Sequence, residues 1–456
     1  MSAPPAVFPA AAPPNLWGAG LASRRFRTIL LLLAGVPIGL AYLWNGVLLP
    51  LVWNQVSDFR AVYLEGARVL AAGGDPYQCA TGFCSGHAKG WLGAAGSVYP
   101  PFPLWLLQPV SGFDPRVVDG VALFVANACI FLFLWVLLRA LGVRDWQFRA
   151  LAVLVSIAFA PTLTEVQNRN FQVLLLALSA VIVAAWMSGD RWWGGAALGF
   201  GLAIKLVQAP LGLLSLWGRR WITVALAVGT WAILWAVAAP RYLPEYVFQV
   251  LPSVGQGSGE EMDISPLAAF ARVMHPESLY QQGRGVDRVV LALTVLTALA
   301  VIVVTVRRLG APRPDRQGRT LEIAAAFAAS PLLLTLVWAG QLILLLVPMI
   351  ILLDVGLRRG SRGLVLQVAL AWFLIGPVYL AFTNAFAAGL GFPLLFQIWS
   401  ESALAGVVVL WVTSLQALKI PSPLSGEQSV SPILIAALRA GSGRGARKKP
   451  SATPPS

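Results

Sequence analysis

Residues 117–138 read VVDGVALFVANACIFLFLWVLL, a run with a single charged side chain. About 20 consecutive apolar residues are enough for a helix to cross the hydrocarbon core of a bilayer, whereas a helix on a soluble core keeps a polar face. This run has no polar face and reads as a membrane span. Working outward, further apolar runs lie near 28–51, 150–164, 171–187, 221–240, 288–306, 321–338, 340–357, 363–382 and 403–418. The stretch 193–217 is also apolar, but Lys205, Gln208 and Pro210 interrupt it. It reads as two short segments forming a broken or re-entrant pair.

Composition agrees with that reading. Of 456 residues, 58% are hydrophobic and 11% charged, with mean hydropathy +0.74, whereas soluble domains are about 25% charged. A mainly disordered chain, a nucleic-acid-binding protein and a secreted disulfide scaffold are excluded. The expected fold is an all-α polytopic membrane protein with about 12 transmembrane or re-entrant helices between residues 28 and 418. Two long loops, at about 52–116 and 241–287, interrupt it. Residues 1–27 are expected to be a disordered cytoplasmic N-terminus, Ala/Pro-rich and uncharged over the first 23. Residues 419–456 read as a disordered basic cytoplasmic tail.

The net charge of +14 would suggest an anionic partner if it were evenly spread. It is not. With the N-terminus in the cytoplasm, the cytoplasmic connections hold 23 of the 33 basic residues and 6 of the 19 acidic ones, +17 against −3 for the remainder. That asymmetry follows the positive-inside rule and sets both long loops on the extracytoplasmic side. Ser23-Arg24-Arg25-Phe26-Arg27 is similar to a twin-arginine signal, but the apolar run after it is long and lacks a clear cleavage site. A retained anchor in the plasma (cell inner) membrane is expected.

In the first long loop, Phe59, Val62, Tyr63, Gly66, Val69 and Leu70 repeat at helical spacing. They predict an amphipathic helix at the membrane interface, stopped at Gly73-Gly74-Asp75-Pro76-Tyr77. Ser57 or Asp58 stands at its N-cap. Asp58 therefore has two readings, a cap for free backbone N–H groups or a catalytic carboxylate at the membrane surface. Cys79 and Cys84 share the loop, either as a local disulfide or as two thiols. With His87 the only nearby further ligand, no metal site is expected. The loop ends at Tyr99-Pro100-Pro101-Phe102-Pro103, a stiff aromatic entry into the membrane. The second loop carries Glu260, Glu261, Asp263, Arg272, His275 and Glu277 with no spacing that demands a metal or a nucleophile. Glu165-Val166-Gln167-Asn168-Arg169-Asn170-Phe171-Gln172 joins two short spans, and Lys205 lies inside an apolar stretch. Ionisable residues at membrane depth are costly and point to function.

In order and spacing, several of these stretches resemble the integral-membrane glycosyltransferases of family 87, with the GT-C fold. They are Asp58-Phe59…Tyr63…Ala67…Leu70…Gly73-Gly74…Pro76-Tyr77, Tyr99-Pro100-Pro101, Asn168…Asn170-Phe171-Gln172, and the glycine-rich segment leading to Lys205 and Arg219-Arg220-Trp221. The resemblance covers residues 28–221 and weakens beyond them. It implies a polyprenyl-phosphate-linked sugar, usually mannose, as donor, a glycolipid or glycan as acceptor, and Asp58 as the catalytic carboxylate. Lys205, Arg169 and Arg60 are then the cations available to a donor phosphate, and Tyr99, Glu165, Asn168, Asn170, Gln172 and His275 the candidates for holding substrate. No cofactor is obligatory in such a reaction, because the leaving group is already a phosphate. Membrane lipids are expected partners and nucleic acid is not. The alternative class is a secondary transporter or lipid flippase.

Overall fold

The computed structural model describes residues 24–52, 57–77, 97–255, 257, 259, 262–276, 286–313, 315–382 and 398–419. Cys79, Cys84, His87, Glu260, Glu261, Glu277 and the two termini lie outside the described residues. Among the described residues there is no strand, only an isolated antiparallel bridge between Asp263 and Trp338. The protein is an all-α polytopic membrane protein.

The chain opens with α1 (Arg25–Val52), a long apolar helix at the rim of the bundle. Next come α2 (Phe59–Leu64 and Glu65–Ala71, continuous), α3 (Pro101–Leu107) and α4 (Pro115–Ala140). The bent pair α5 (Trp146–Ile157) and α6 (Ala160–Asn168) turns through 61°. Pro161 in the first turn of α6 accounts for the restart, since proline suits a helix start and cannot continue a ladder. Helices α7 (Gln172–Met187), α8 (Trp192–Ile204) and α9 (Leu206–Trp217) are apolar but too short to cross in a straight line. A second bent pair, α10 (Trp221–Val237) and α11 (Pro240–Gly255), turns through 100°. The remainder is α12 (Pro266–Met274), α13 (Arg288–Leu309), α14 (Arg316–Ala329), α15 (Ala339–Arg358), α16 (Arg362–Phe382) and α17 (Ile398–Ala417).

Six of these helices are long and apolar enough to cross a membrane, or eight if each bent pair is one span. The rim of α1 exposes Leu32, Leu33, Val36 and Leu40, as lipid contact requires, while α15 is almost wholly enclosed. Close approach of α8 to α10 depends on glycine. A Cβ at Gly195 would lie 2.6 Å from the Thr223 carbonyl, and one at Gly199 2.4 Å from that of Ala227. Small residues let helix backbones meet in this way inside membranes.

The break expected within 193–217 is found at Lys205, whose backbone is extended (φ −161°, ψ 132°) between α8 and α9. Two expectations change. The span expected at 321–338 starts earlier and stops at Ala329. Pro331 follows within a single 3₁₀ turn (Ser330–Leu333), and Leu334 is extended. The apolar run continues past the proline, which hides the stop from hydropathy. The helix expected at the membrane interface is embedded in protein: Phe59, Tyr63, Leu64, Ala67 and Leu70 are all buried. Gly66 allows this, because its missing Cβ would lie 3.0 Å from Leu104 on α3.

Candidate functional site

The site starts where the chain enters α2. Ser57 Oγ accepts the Arg60 N–H at 3.2 Å and its carbonyl accepts the Ala61 N–H at 2.8 Å, so Ser57 is the helix cap. Asp58, one residue on, already has helical backbone (φ −55°, ψ −36°) and its side chain caps nothing. The capping reading of Asp58 is thereby corrected; its half-buried carboxylate is directed to other partners. The first turns of α2 are wound as a π-helix, a rare form that recurs at functional sites.

Three other elements converge on Asp58. Glu165, on α6, is buried and has Lys205 and Asp58 as its electrostatic neighbours. Lys205 in turn faces the Glu165 and Asp58 carboxylates, and its Nζ lies over the Tyr99 ring, 5.3 Å from the centroid. That distance is within reach of a cation–π contact. Tyr99 stacks on Tyr63 with ring centroids 4.2 Å apart, and the Tyr63 hydroxyl donates to Asn170 Oδ1 at 3.0 Å. Burial pushes both phenols well above the ordinary tyrosine range, with Asp58 and Glu165 adding to the effect. Both therefore serve as neutral hydroxyls. The cluster thus joins Asp58, Tyr99, Glu165, Asn170 and Lys205 with Tyr63, which the sequence placed on the helix face and in the family-like stretch but not among the candidate site residues.

The other sequence candidates have the following surroundings. Arg169 forms the left-handed turn after α6 (φ 49°), and its guanidinium is held by Asp119 at 3.3 Å, the Pro50 carbonyl at 3.1 Å and the Gln167 carbonyl. Those contacts anchor it to α1 and α4, and the residue also lines the cavity beside the cluster. Asp119 is the lone charged residue of the run 117–138 that marked α4 as a span. Arg60 lends its backbone N–H to the Ser57 cap. His275 ends α12 and pairs with Asp287 at 3.2 Å on an exposed surface, outside the Asp58 cluster. Asn168 is the half-buried last residue of α6. Gln172 opens α7, fully buried, with neither side-chain polar atom hydrogen-bonded among the described residues.

Glu165 rests on a glycine that sequence reasoning did not single out. A Cβ at Gly340 would fall 1.7 Å from Glu165 Oε1, so only glycine lets the carboxylate lie there. The segment leading to Gly340 is pinned by the second long loop. Asp263 Oδ1 accepts the N–H groups of Ser265 (2.9 Å) and Val337 (3.0 Å). Arg272 ties the same loop to Glu401 of α17 (2.7 Å) and to the Asp263 carbonyl (2.9 Å).

Burial pushes the Asp263 carboxyl up to about 6, against the pull of the Val337 and Ser265 N–H groups and the Arg272 charge. An acid raised in this way binds more protons folded than unfolded between pH ~4 and ~6, so stability is withdrawn as pH rises through that window. The loss at pH 7 is about 3 kcal/mol. Asp263→Asn keeps an accepting oxygen and removes the ionisation. Its melting temperature is expected to exceed that of the wild type at pH 7 and to match it near pH 4. Thermal denaturation of the purified chain at both pH values checks this, and a lower melting point at pH 7 would refute it.

Beside the cluster, a cavity of about 240 Å³ is lined by Phe59, Val118, Val121, Val125, Asn170 and Phe171, among others. Val121 and Val125 are exposed on α4, so the cavity borders the lipid-facing surface.

Comparison with known proteins gives two similarities. The sequence profile of the family described as Glycosyltransferase family 87 matches residues 98–335. The matched range contains Tyr99, Glu165, Asn170 and Lys205 and extends well past residue 221; Asp58 precedes it. An alpha-(1->3)-arabinofuranosyltransferase of Corynebacterium glutamicum is 28% identical over 167 residues, 35% of this chain and 39% of that protein. The chain thus spans about two-fifths of the length of this relative.

Proposed function

The chain belongs to glycosyltransferase family 87, and from that membership we propose that it is a membrane glycosyltransferase acting on the extracytoplasmic face of the plasma membrane. It moves a sugar from a polyprenyl-phosphate donor to a glycolipid or glycan acceptor. The observation that carries the reading is the convergence of Asp58, Glu165 and Lys205 from three distant stretches inside a predominantly apolar bundle, beside the stacked Tyr63 and Tyr99. Charges at such depth are retained for a task. The lipid-bordering cavity beside Asn170 and Phe171 suits a donor whose carrier chain stays in the bilayer while its head reaches the charges.

In the proposed reaction the acceptor hydroxyl oxygen attacks the anomeric carbon and the bond from that carbon to the phosphate oxygen breaks. The hydroxyl proton passes to Asp58, and polyprenyl phosphate leaves. Attack opposite the leaving group inverts the anomeric centre. Asp58 is the half-buried carboxylate of the pair and can meet an incoming hydroxyl. Glu165, enclosed against Gly340, holds Lys205 in position. Lys205 supplies the positive charge towards the phosphate, where preorganised charge acts most strongly on the transition state. Tyr63, Tyr99 and Asn170 offer neutral hydrogen-bonding groups for the sugar.

Family resemblance points to mannose as the sugar, and the name of the C. glutamicum relative to arabinofuranose. The test presents the purified full chain in nanodiscs with polyprenyl-phosphate donors labelled in either sugar, together with an extract of envelope lipids and glycans. Label is expected to move from one of the two donors to an acceptor, with release of polyprenyl phosphate. Transfer from neither, together with movement of a solute or lipid across proteoliposomes, would replace this reading with a transporter.

A further inference from the structure

We propose that Ser57, Asp119 and Arg169 form a buried clamp that aims the Asp58 carboxylate at the site, making them positioning residues for the transfer reaction. The inference rests on the reading of Asp58 as the proton acceptor. Its contacts run in one chain through four separate stretches. The Pro50 carbonyl at the end of α1 accepts from Arg169 at 3.1 Å, and Arg169 faces Asp119 Oδ2 of α4 at 3.3 Å. The other oxygen of Asp119 accepts the Ser57 hydroxyl at 2.5 Å, and Ser57 Oγ accepts the Arg60 N–H that starts α2. All three residues are buried.

Stability alone does not account for this arrangement. A buried ion pair gives little net stability, because desolvation offsets the attraction, but it does fix geometry. What it fixes here is the entry to the site from both sides. Ser57 sets the first turn of α2, and with it the direction of the Cα–Cβ bond of Asp58. Arg169, in a left-handed backbone that costs a non-glycine residue roughly 1–2 kcal/mol, sits between Glu165 and Asn170, both members of the cluster. The Asn170 N–H closes that turn onto the Glu165 carbonyl at 3.1 Å. One clamp therefore holds the Asp58 turn and the Glu165–Asn170 turn in register with each other. A misplacement of about 1 Å in a catalytic group costs on the order of 10² in rate.

The experiment measures transfer by the purified full chain in nanodiscs for Ser57→Ala, Ser57→Thr and Asp58→Asn. Ser57→Ala is expected to lower kcat by about 10- to 100-fold. The KM values for both substrates should stay within about twofold, because a misdirected base slows the chemical step without weakening binding. The melting temperature falls modestly with the lost helix cap, so kcat is taken per folded protein. Ser57→Thr, which restores a hydroxyl, is expected to recover most of the lost kcat. Unchanged kcat in Ser57→Ala overturns the clamp, as does a loss that follows the amount of folded protein and is not rescued by threonine. Activity in Asp58→Asn would instead sink the reading on which the clamp rests. An inactive Asp58→Asn beside a fully active Ser57→Ala would sink the clamp alone. Asp119→Asn combined with Arg169→Gln provides a second check, since it leaves no buried charge without its partner. The double variant is expected to fold better than either single variant while keeping the kcat defect, and wild-type kcat in a folded double variant counts against the clamp.

Discussion

Asp58→Asn is expected to lower kcat for sugar transfer by about 10³, with little change in melting temperature or in KM for the donor. Removing a general base costs roughly 10²–10⁴, and loss of a carboxylate facing an oxocarbenium-like centre adds to that. The structure makes the substitution clean. Ser57, and not Asp58, caps α2, so the amide removes no cap and leaves the helix start intact. Had Asp58 been the cap, the same variant would have mixed a folding defect of about 1 kcal/mol with any catalytic one. Single-turnover transfer with preloaded donor isolates the chemical step, and thermal melting of the same preparation reports on the fold. Transfer within about threefold of the wild type would remove Asp58 from the base role. Asp58 also lies ahead of the residues matched by the family profile, so its role rests on this measurement and on geometry.

Much of the fold was legible because membrane spans announce themselves by composition. The run 117–138 is a helix as read, and Lys205 with Pro210 marked the break between α8 and α9. Reading failed where a local signal was masked or a partner was remote. Pro331 stops α14 inside a run that stays apolar, so hydropathy carried the span on to residue 338. The ion-pair partner of Arg169 was not read, because Asp119 lies 50 positions earlier inside a span. The signal was present all the same, since a carboxylate in such a run needs a partner. At Ser57-Asp58 two capping residues stand side by side, and only the observed register separates the cap from the site carboxylate. Gly340 carried no local signal. Its role depends on α6 packing across it, and nothing in the residues around position 340 encodes that.

Lys205→Met is expected to have the other large effect, and on two properties at once. The substitution removes the cation faced by both Asp58 and Glu165 and leaves two carboxylates beside each other in an apolar setting. Carboxylates left in an apolar setting without their neighbouring cation are destabilising, so the variant should melt below the wild type. It should also lose transfer. In the proposed reaction the donor phosphodiester gains a negative charge as its bond to the sugar breaks, while the anomeric carbon becomes positive. A cation towards the phosphate and carboxylates towards the sugar match that separation of charge, and losing the cation leaves the departing phosphate facing negative charge alone. The two effects can be separated with Glu165→Gln. In the Lys205→Met, Glu165→Gln double variant the buried carboxylate is gone and only the half-buried Asp58 lacks the cation, so melting should recover part of the way towards the wild type. Transfer should stay at least about 10²-fold down, because a single preorganised charge at a developing anion contributes roughly that much. A double variant that recovers both properties would reduce Lys205 to a counter-ion for Glu165. One that recovers melting alone would leave Lys205 acting on the leaving phosphate.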